Sequence, residues 1–337
     1  MKSMRVTAAL FAASLGCLFG ASEASAQAVP GEPIDAPINV SAVVQGTFGA
    51  ASVLSENEYT QTDFFQLSNS LSVNWLVNPK WTVSLSGGYS KFLTRTGGIN
   101  EQYEGRFQDT SLSASIFPLY VEEYTGIIFT SGASLSFPTS DLSQQQNLYT
   151  SASGSITAIK PVGGMILVYS FGATKNFHKY TSATVDADEV DAIARNGGAE
   201  DLEANEVAID GVLPSFGINN TFLIIYNVFP KFQLRASLSY SDSWTYDNGT
   251  ITEEDEFTNE NAVAGRGHSQ FVSGGFGARY LLLGDSFFGR SLSARLQFTT
   301  NGQPLTDDGS GVRFPFWDFE NGQANRTNVT LGFAGTF

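Results

Sequence analysis

Residues 232–240 read Phe232-Gln233-Leu234-Arg235-Ala236-Ser237-Leu238-Ser239-Tyr240. Every even position is apolar and every odd position is polar or charged. Successive side chains of a β-strand point to opposite faces, so this stretch is a strand with one oily face and one wet face. A helix would scatter the same residues around its whole circumference, because its repeat is about 3.6 rather than 2.

The design recurs on both sides of this stretch. Trp81, Val83, Leu85 and Tyr89 alternate with Thr82, Ser84, Ser86 and Ser90; Leu292, Ala294, Leu296 and Phe298 alternate with Ser293, Arg295, Gln297 and Thr299. Twelve such segments run along the chain, at about 38–50, 64–77, 81–93, 107–117, 124–137, 148–160, 164–177, 214–227, 231–244, 267–281, 291–300 and 325–337. Each is about twice the ~5–6 residues usual for a soluble strand. That length suits a tilted strand crossing a bilayer, which takes about 9–11 residues.

The connections sort by length. Those after even-numbered segments are short: Asn78-Pro79-Lys80, 118–123, Pro161-Val162-Gly163, 227–230 and 282–290. Those after odd-numbered segments are longer and more polar: 51–63, 94–106, 138–147, 178–213, 245–266 and 301–324. Membrane barrels of bacteria pair short periplasmic turns with longer external loops and hold an even number of strands. The reading is therefore all-β: a single closed antiparallel transmembrane β-barrel of twelve strands, with ten and fourteen as the alternatives, and both termini in the periplasm.

Composition agrees. Phe occurs 27 times, Tyr 12 and Gly 34, and 15% of residues are charged, against about 25% in ordinary soluble domains. Beyond the first residues no apolar run reaches the ~18 needed for a spanning helix. Backbone N–H and C=O groups in hydrocarbon need internal partners, so strands cross only as a closed sheet. The serine-rich face must then point into the lumen. A formal net charge of −15 argues against nucleic acid as a partner.

The chain ends on Phe337, after Thr327, Val329, Leu331 and Phe333 on one face and Asn328, Thr330 and Thr336 on the other. This tail resembles the C-terminal strand of the bacterial outer-membrane barrel superfamily, whose terminal Phe is the export signal read by the barrel assembly machinery. The resemblance implies an outer-membrane location and that machinery as a partner, with lipid bilayer and lipopolysaccharide around the barrel. Two aromatic bands fit it: Trp75, Trp81, Phe117, Tyr226, Phe232, Tyr280 and Phe337 toward the turns, and Phe48, Phe92, Phe137 and Tyr240 toward the loops.

Residues 1–26 read as a signal peptide: Lys2 and Arg5, an apolar stretch from Val6 to Gly20, then Ala24-Ser25-Ala26 as the cleavage site. The rival is a lipoprotein acylated on Cys17, opposed by Ser14 and by the apolar residues that continue past the cysteine. Residues 27–37 are a periplasmic segment and 38–337 the barrel. Cleavage after Ala26 leaves no cysteine for a disulfide, nucleophile or metal.

Few residues carry chemistry. His178 and His268 are the two histidines. Outer-membrane barrel hydrolases such as the phospholipase and the lipid A deacylase carry a catalytic His, which in the phospholipase is followed two residues later by Ser, whereas His268 is followed by Ser269 on the opposite face and then by Gln270. The expectation is a barrel that is not an enzyme. Asp186-Ala187-Asp188 opens like a calcium loop, but Val190 and Asp191 stand where a ligand and the glycine belong, so neither metal nor cofactor is expected. Residues 186–197 fit a short helix.

Charge is more informative. Asp186, Asp188, Glu189 and Asp191, with Glu253, Glu254, Asp255 and Glu256, form an acidic vestibule over two long loops. Alternation places Arg235, Arg279, Arg295 and Arg326 on the lumen face, with Asp109 the clearest inward acid. These arginines form a selectivity track for anionic groups, or they pair with Glu32 and Asp35 or with Glu122 and Glu123. Twelve strands fall between the filled eight-stranded barrels and the wide porins. The chain resembles, in size and design, small substrate-selective channels, which implies passive diffusion of small hydrophilic solutes through a narrow or gated lumen. The alternative is a non-conducting barrel acting as an anchor, adhesin or subunit of an envelope complex.

Overall fold

The computed structural model describes residues 38–49, 65–94, 105–186, 206–247, 265–283, 291–302 and 327–337. The strands are β1 (Ile38–Gly49), β2 (Phe65–Asn78), β3 (Trp81–Phe92), β4 (Gly105–Phe107), β5 (Thr110–Val121), β6 (Ile128–Phe137), β7 (Leu148–Val162), β8 (Met165–His178), β9 (Ser182–Asp186), β10 (Glu206–Val212), β11 (Pro214–Phe229), β12 (Phe232–Asp247), β13 (Arg266–Leu283), β14 (Ser291–Gly302) and β15 (Thr327–Thr336). Twelve of them, all but β4, β9 and β10, pair antiparallel in a closed ring, in which β1 joins β2 on one side and β15 on the other. Short β4 extends β5 beside β3, and β9 pairs with β10 as a separate ribbon. No helix among the described residues is long and apolar enough to cross a membrane.

Hairpin chemistry explains the tight end of the ring. Asn78 Oδ1 accepts from the Lys80 and Trp81 N–H groups at 2.9 and 3.0 Å, turning β2 into β3. Gly163 turns β7 into β8 at φ 59°, a left-handed conformation that a Cβ would strain. The turn expected at 118–123 lies further on. Pro118 cannot donate to the ladder, and it sits within a bulge between Ile116 and Tyr120, beyond which β5 continues to Val121. Glu122 makes the turn instead: its carboxylate accepts the Tyr124 N–H at 3.0 Å and also the Thr125 N–H and hydroxyl.

The faces sort as the alternation requires. Leu71, Leu85, Ile156, Leu234, Leu238, Phe276, Leu331 and Phe333 all point outward and are exposed. Serines and threonines point inward, so the usual burial rule is inverted: oil outside, hydroxyls inside. The ring is sealed by its ends. The Val40 N–H donates to Phe337 O at 3.0 Å and the Phe337 N–H to Val40 O at 2.8 Å. This seam also places both ends of the barrel at its turn end, while β9, β10 and the short helix α1 (Asp141–Gln145) lie at the loop end. The expected signal peptide and N-terminal segment, the helix expected at 186–197 beyond its first residue, and the acids at 188–191 and 253–256 lie outside the described residues. For Asp186 the backbone closes the β9–β10 pairing opposite Glu206.

Candidate functional site

The lumen wall from β1 to β8 is a hydroxyl surface. One register row runs Ser41, Ser72, Ser86, Ser111, Ser136, Ser151 and Asn176 across seven strands. Neighbours in it and in adjacent rows bond directly: Ser86 to Ser111 at 2.7 Å, Ser151 to Asn176 at 2.7 Å, Ser153 to Thr174 at 2.9 Å and Thr157 to Ser170 at 2.8 Å. Small side chains that satisfy one another keep these rows uncharged and close to the backbone, while Arg106 of β4, across from Ser90, lies on the same face nearer the loop end.

The opposite wall differs. Arg279 of β13 stands directly across from Arg295 of β14, and Arg235 of β12 stands across from Gly277. Register rows climb about 3 Å per strand in a sheet tilted ~45°, which offsets the one-row step of Arg235. The three arginine backbones therefore lie at nearly one height, on three adjacent strands, close above the turn-end aromatics Phe232 and Tyr280. Like charges directly opposite are unfavourable in a sheet, so this placement is not explained by strand pairing. Glycines border it: a Cβ on Gly277 would meet Leu296 O at 2.6 Å, and one on Gly332, across from Arg295, would meet Gln45 Cβ at 2.8 Å. No side chain therefore projects from either position beside the arginines. In the order of the ring β3, β5 and β6 lie across from β12, β13 and β14, presenting Ser84, Ser86, Ser113, Ser115, Thr130 and Ser134.

Of the sequence candidates, Arg235, Arg279 and Arg295 are thus brought together, and Arg326 lies outside the described residues. Asp109 does not face the arginines as a lone acid. Its Oδ1 accepts the Ser140 N–H at 2.9 Å and its Oδ2 the Ser143 hydroxyl, so its charge is engaged at the start of α1.

His178 closes β8, edge-on to Tyr246 at 5.7 Å. His268 lies on the outward face, where its Nε2 is 2.8 Å from Asp242 Oδ1. The Tyr240 hydroxyl donates to the same oxygen at 3.0 Å and accepts from Gln270 Nε2 at 2.8 Å. Phe216, Trp244 and His268 stack above at centroid spacings of 5.7 and 5.2 Å. Sequence reading saw the histidine and missed its carboxylate. The signal was parity: Tyr240, Asp242 and Trp244 share the even face of Leu238.

A closed antiparallel ring with an apolar exterior and a polar interior defines a transmembrane β-barrel of the bacterial outer-membrane type. No family model matches the chain, and no curated protein matches it. Among solved structures it is similar to an outer membrane channel from Pseudomonas putida, at 12% identity and TM-score 0.49, covering 92% of this chain and 100% of that one. It is also similar to the translocator domain of the autotransporter NalP from Neisseria meningitidis, at 10% identity and TM-score 0.38, covering 97% and 96%. LpxR from Salmonella typhimurium matches at 9% identity and TM-score 0.37, covering 88% and 99%.

Proposed function

We propose that the barrel is a passive channel for small hydrophilic solutes with a preference for anions, oriented with its turns and both termini in the periplasm and its loops outside. The observation that carries this reading is the arc of Arg235, Arg279 and Arg295 across from rows of serine and threonine on β3, β5 and β6. Three guanidinium groups at nearly one height give the lumen a basic band that a passing anion meets. Guanidinium groups bind carboxylate and phosphate with paired N–H donors, while serine hydroxyls exchange bonds with the solute's own hydroxyls. Planar-bilayer recording tests it. Refolded protein gives reproducible open steps, and the reversal potential under a KCl gradient has the sign of chloride preference. Silence from barrels whose folding is verified by heat-modifiable gel mobility overturns the channel reading in favour of a non-conducting barrel.

A further inference from the structure

The lumen face changes character toward the turn end of β7, β8 and β11. Higher on these strands Thr157 bonds Ser170 at 2.8 Å and Thr221 bonds Ser239 at 2.9 Å. Two residues nearer the turns, the same face carries Ile159, Val168 and Leu223, which stand side by side in one register row. The next row pairs Ile166 with Ile225. Five aliphatic side chains thus form one patch on three adjacent strands, directly below hydroxyl positions. The patch ends against the arginine arc: Ile225 stands across from Arg235 and is buried, and Leu223 stands across from Ser237, one row above. The row of Val44 passes through Phe333, Ala294 and Tyr280 down to Phe232, so rows climb toward the loops as strand number rises. Followed from β8 through β11 to β12, that climb puts Val168 and Leu223 within about 3 Å of the height of Arg235.

Aliphatic side chains facing a wet lumen are unfavourable until something apolar covers them. An inorganic anion meets the guanidinium groups but leaves the patch in water, and a neutral sugar matches neither. A carboxylate with a short apolar body answers both. Its oxygens accept paired N–H donors, and its hydrocarbon takes the patch out of water. We infer that the lumen binds such monocarboxylates, with the head at Arg235 and the body across Leu223 and Val168. The inference deepens the channel reading above and rests on it for the water-filled lumen.

The test is methyl NMR of the refolded barrel in detergent, with Ile, Leu and Val methyls labelled, titrated at pH 7 with acetate, hexanoate and hexylammonium. Methyls of Val168, Leu223 and Ile225 shift and saturate with hexanoate. Those of Ile156 and Ile224, on the outward face of the same strands, report uptake by the micelle and stay unsaturated. Each CH2 half covered by the wall tightens binding about twofold, so hexanoate binds about fifteenfold more tightly than acetate. Hexylammonium has the same body with the opposite charge and binds about tenfold more weakly than hexanoate. The variant Val168→Thr/Leu223→Thr keeps β-branched residues in both strands, folds by heat-modifiable mobility, and lowers the hexanoate-to-acetate ratio about threefold. Equal binding of acetate and hexanoate by the parent overturns the assignment. So do lumen methyls that ignore hexanoate and move only when the chain is begun at Ile38, which makes residues 27–37 the occupant. Saturating shifts in a barrel that is silent in planar bilayers support the site and refute conduction; open steps without such shifts do the reverse.

Discussion

Reversing one charge in the arginine arc separates selectivity from stability. A monovalent anion passing about 8 Å from each guanidinium in a water-filled lumen gains about 0.5 kcal/mol per arginine. Three arginines then favour anions by about 1.5 kcal/mol, roughly tenfold in local concentration. Arg279→Glu turns one attraction into a repulsion, disfavouring an anion by about 1 kcal/mol and favouring a cation by the same amount, so the anion-to-cation permeability ratio falls by about 2 kcal/mol, roughly thirtyfold before screening. The same change replaces the opposed Arg279 and Arg295 by an opposite-charge pair, worth about 0.2–1 kcal/mol across a ladder. Folding stability in urea should hold or rise while selectivity drops. The assay is reversal potential at 0.1 M salt, repeated at 1 M, where the ~3 Å screening length erases the difference between parent and variant. An unchanged permeability ratio at 0.1 M refutes the role given to the arc.

Three further outcomes follow from the wall, the seam and one turn. Leu238→Arg on the outward face costs about 2–4 kcal/mol of stability in lipid vesicles, whereas Ser237→Arg, one residue away and inward, costs far less; equal costs in urea titrations would mean the faces are misassigned. Removing Phe337 deletes its two backbone bonds to Val40 and lowers unfolding stability by about 1–3 kcal/mol; an unchanged unfolding midpoint would show that the seam holds elsewhere. Glu122 lies below the usual carboxylate range, first through the Thr125 hydroxyl and then through the N–H groups of Tyr124 and Thr125. A lowered folded pKa means its contribution is present at neutral pH and is lost as pH falls through that lowered value. The Thr125 amide resonance should accordingly titrate below the ordinary glutamate range, and Glu122→Gln should abolish that titration.

Period-two alternation made most of the barrel readable. At β12, the segment about 231–244 became Phe232–Asp247, because parity fixes both face and register. What escaped depends on partners distant in sequence. The end of β5 was misplaced because Pro118 reads as a turn in isolation, yet a bulge lets the ladder pass it. Asp109 looked like a lumen acid by parity, but α1 lies beside it only in the folded loop end. The β9–β10 ribbon went unread although Ala183 and Val185 alternate with Ser182, Thr184 and Asp186, because the acidic residues that follow suggested a helix. Parity and distance from the turns made legible that Arg235, Arg279 and Arg295 sit on neighbouring strands at similar height. The Asp242–His268 pair was not, because an acid between two serines looks like lumen until its parity is counted against Leu238.

The seam has a consequence for the order of events in biogenesis. Thr47 and Thr330 share a hydroxyl bond of 3.0 Å across a sequence separation of 283 residues, and Phe337 pairs with Val40 on the same seam. Every other pairing in the ring can zip from a neighbouring hairpin or across a single loop. This one waits for β15. Until then the growing sheet carries two raw margins, β1 and whichever strand came last, each open to pairing with a stranger. Closure therefore depends on β15: without this strand β1 and β14 keep open margins, whereas its pairing with both hides them in one step.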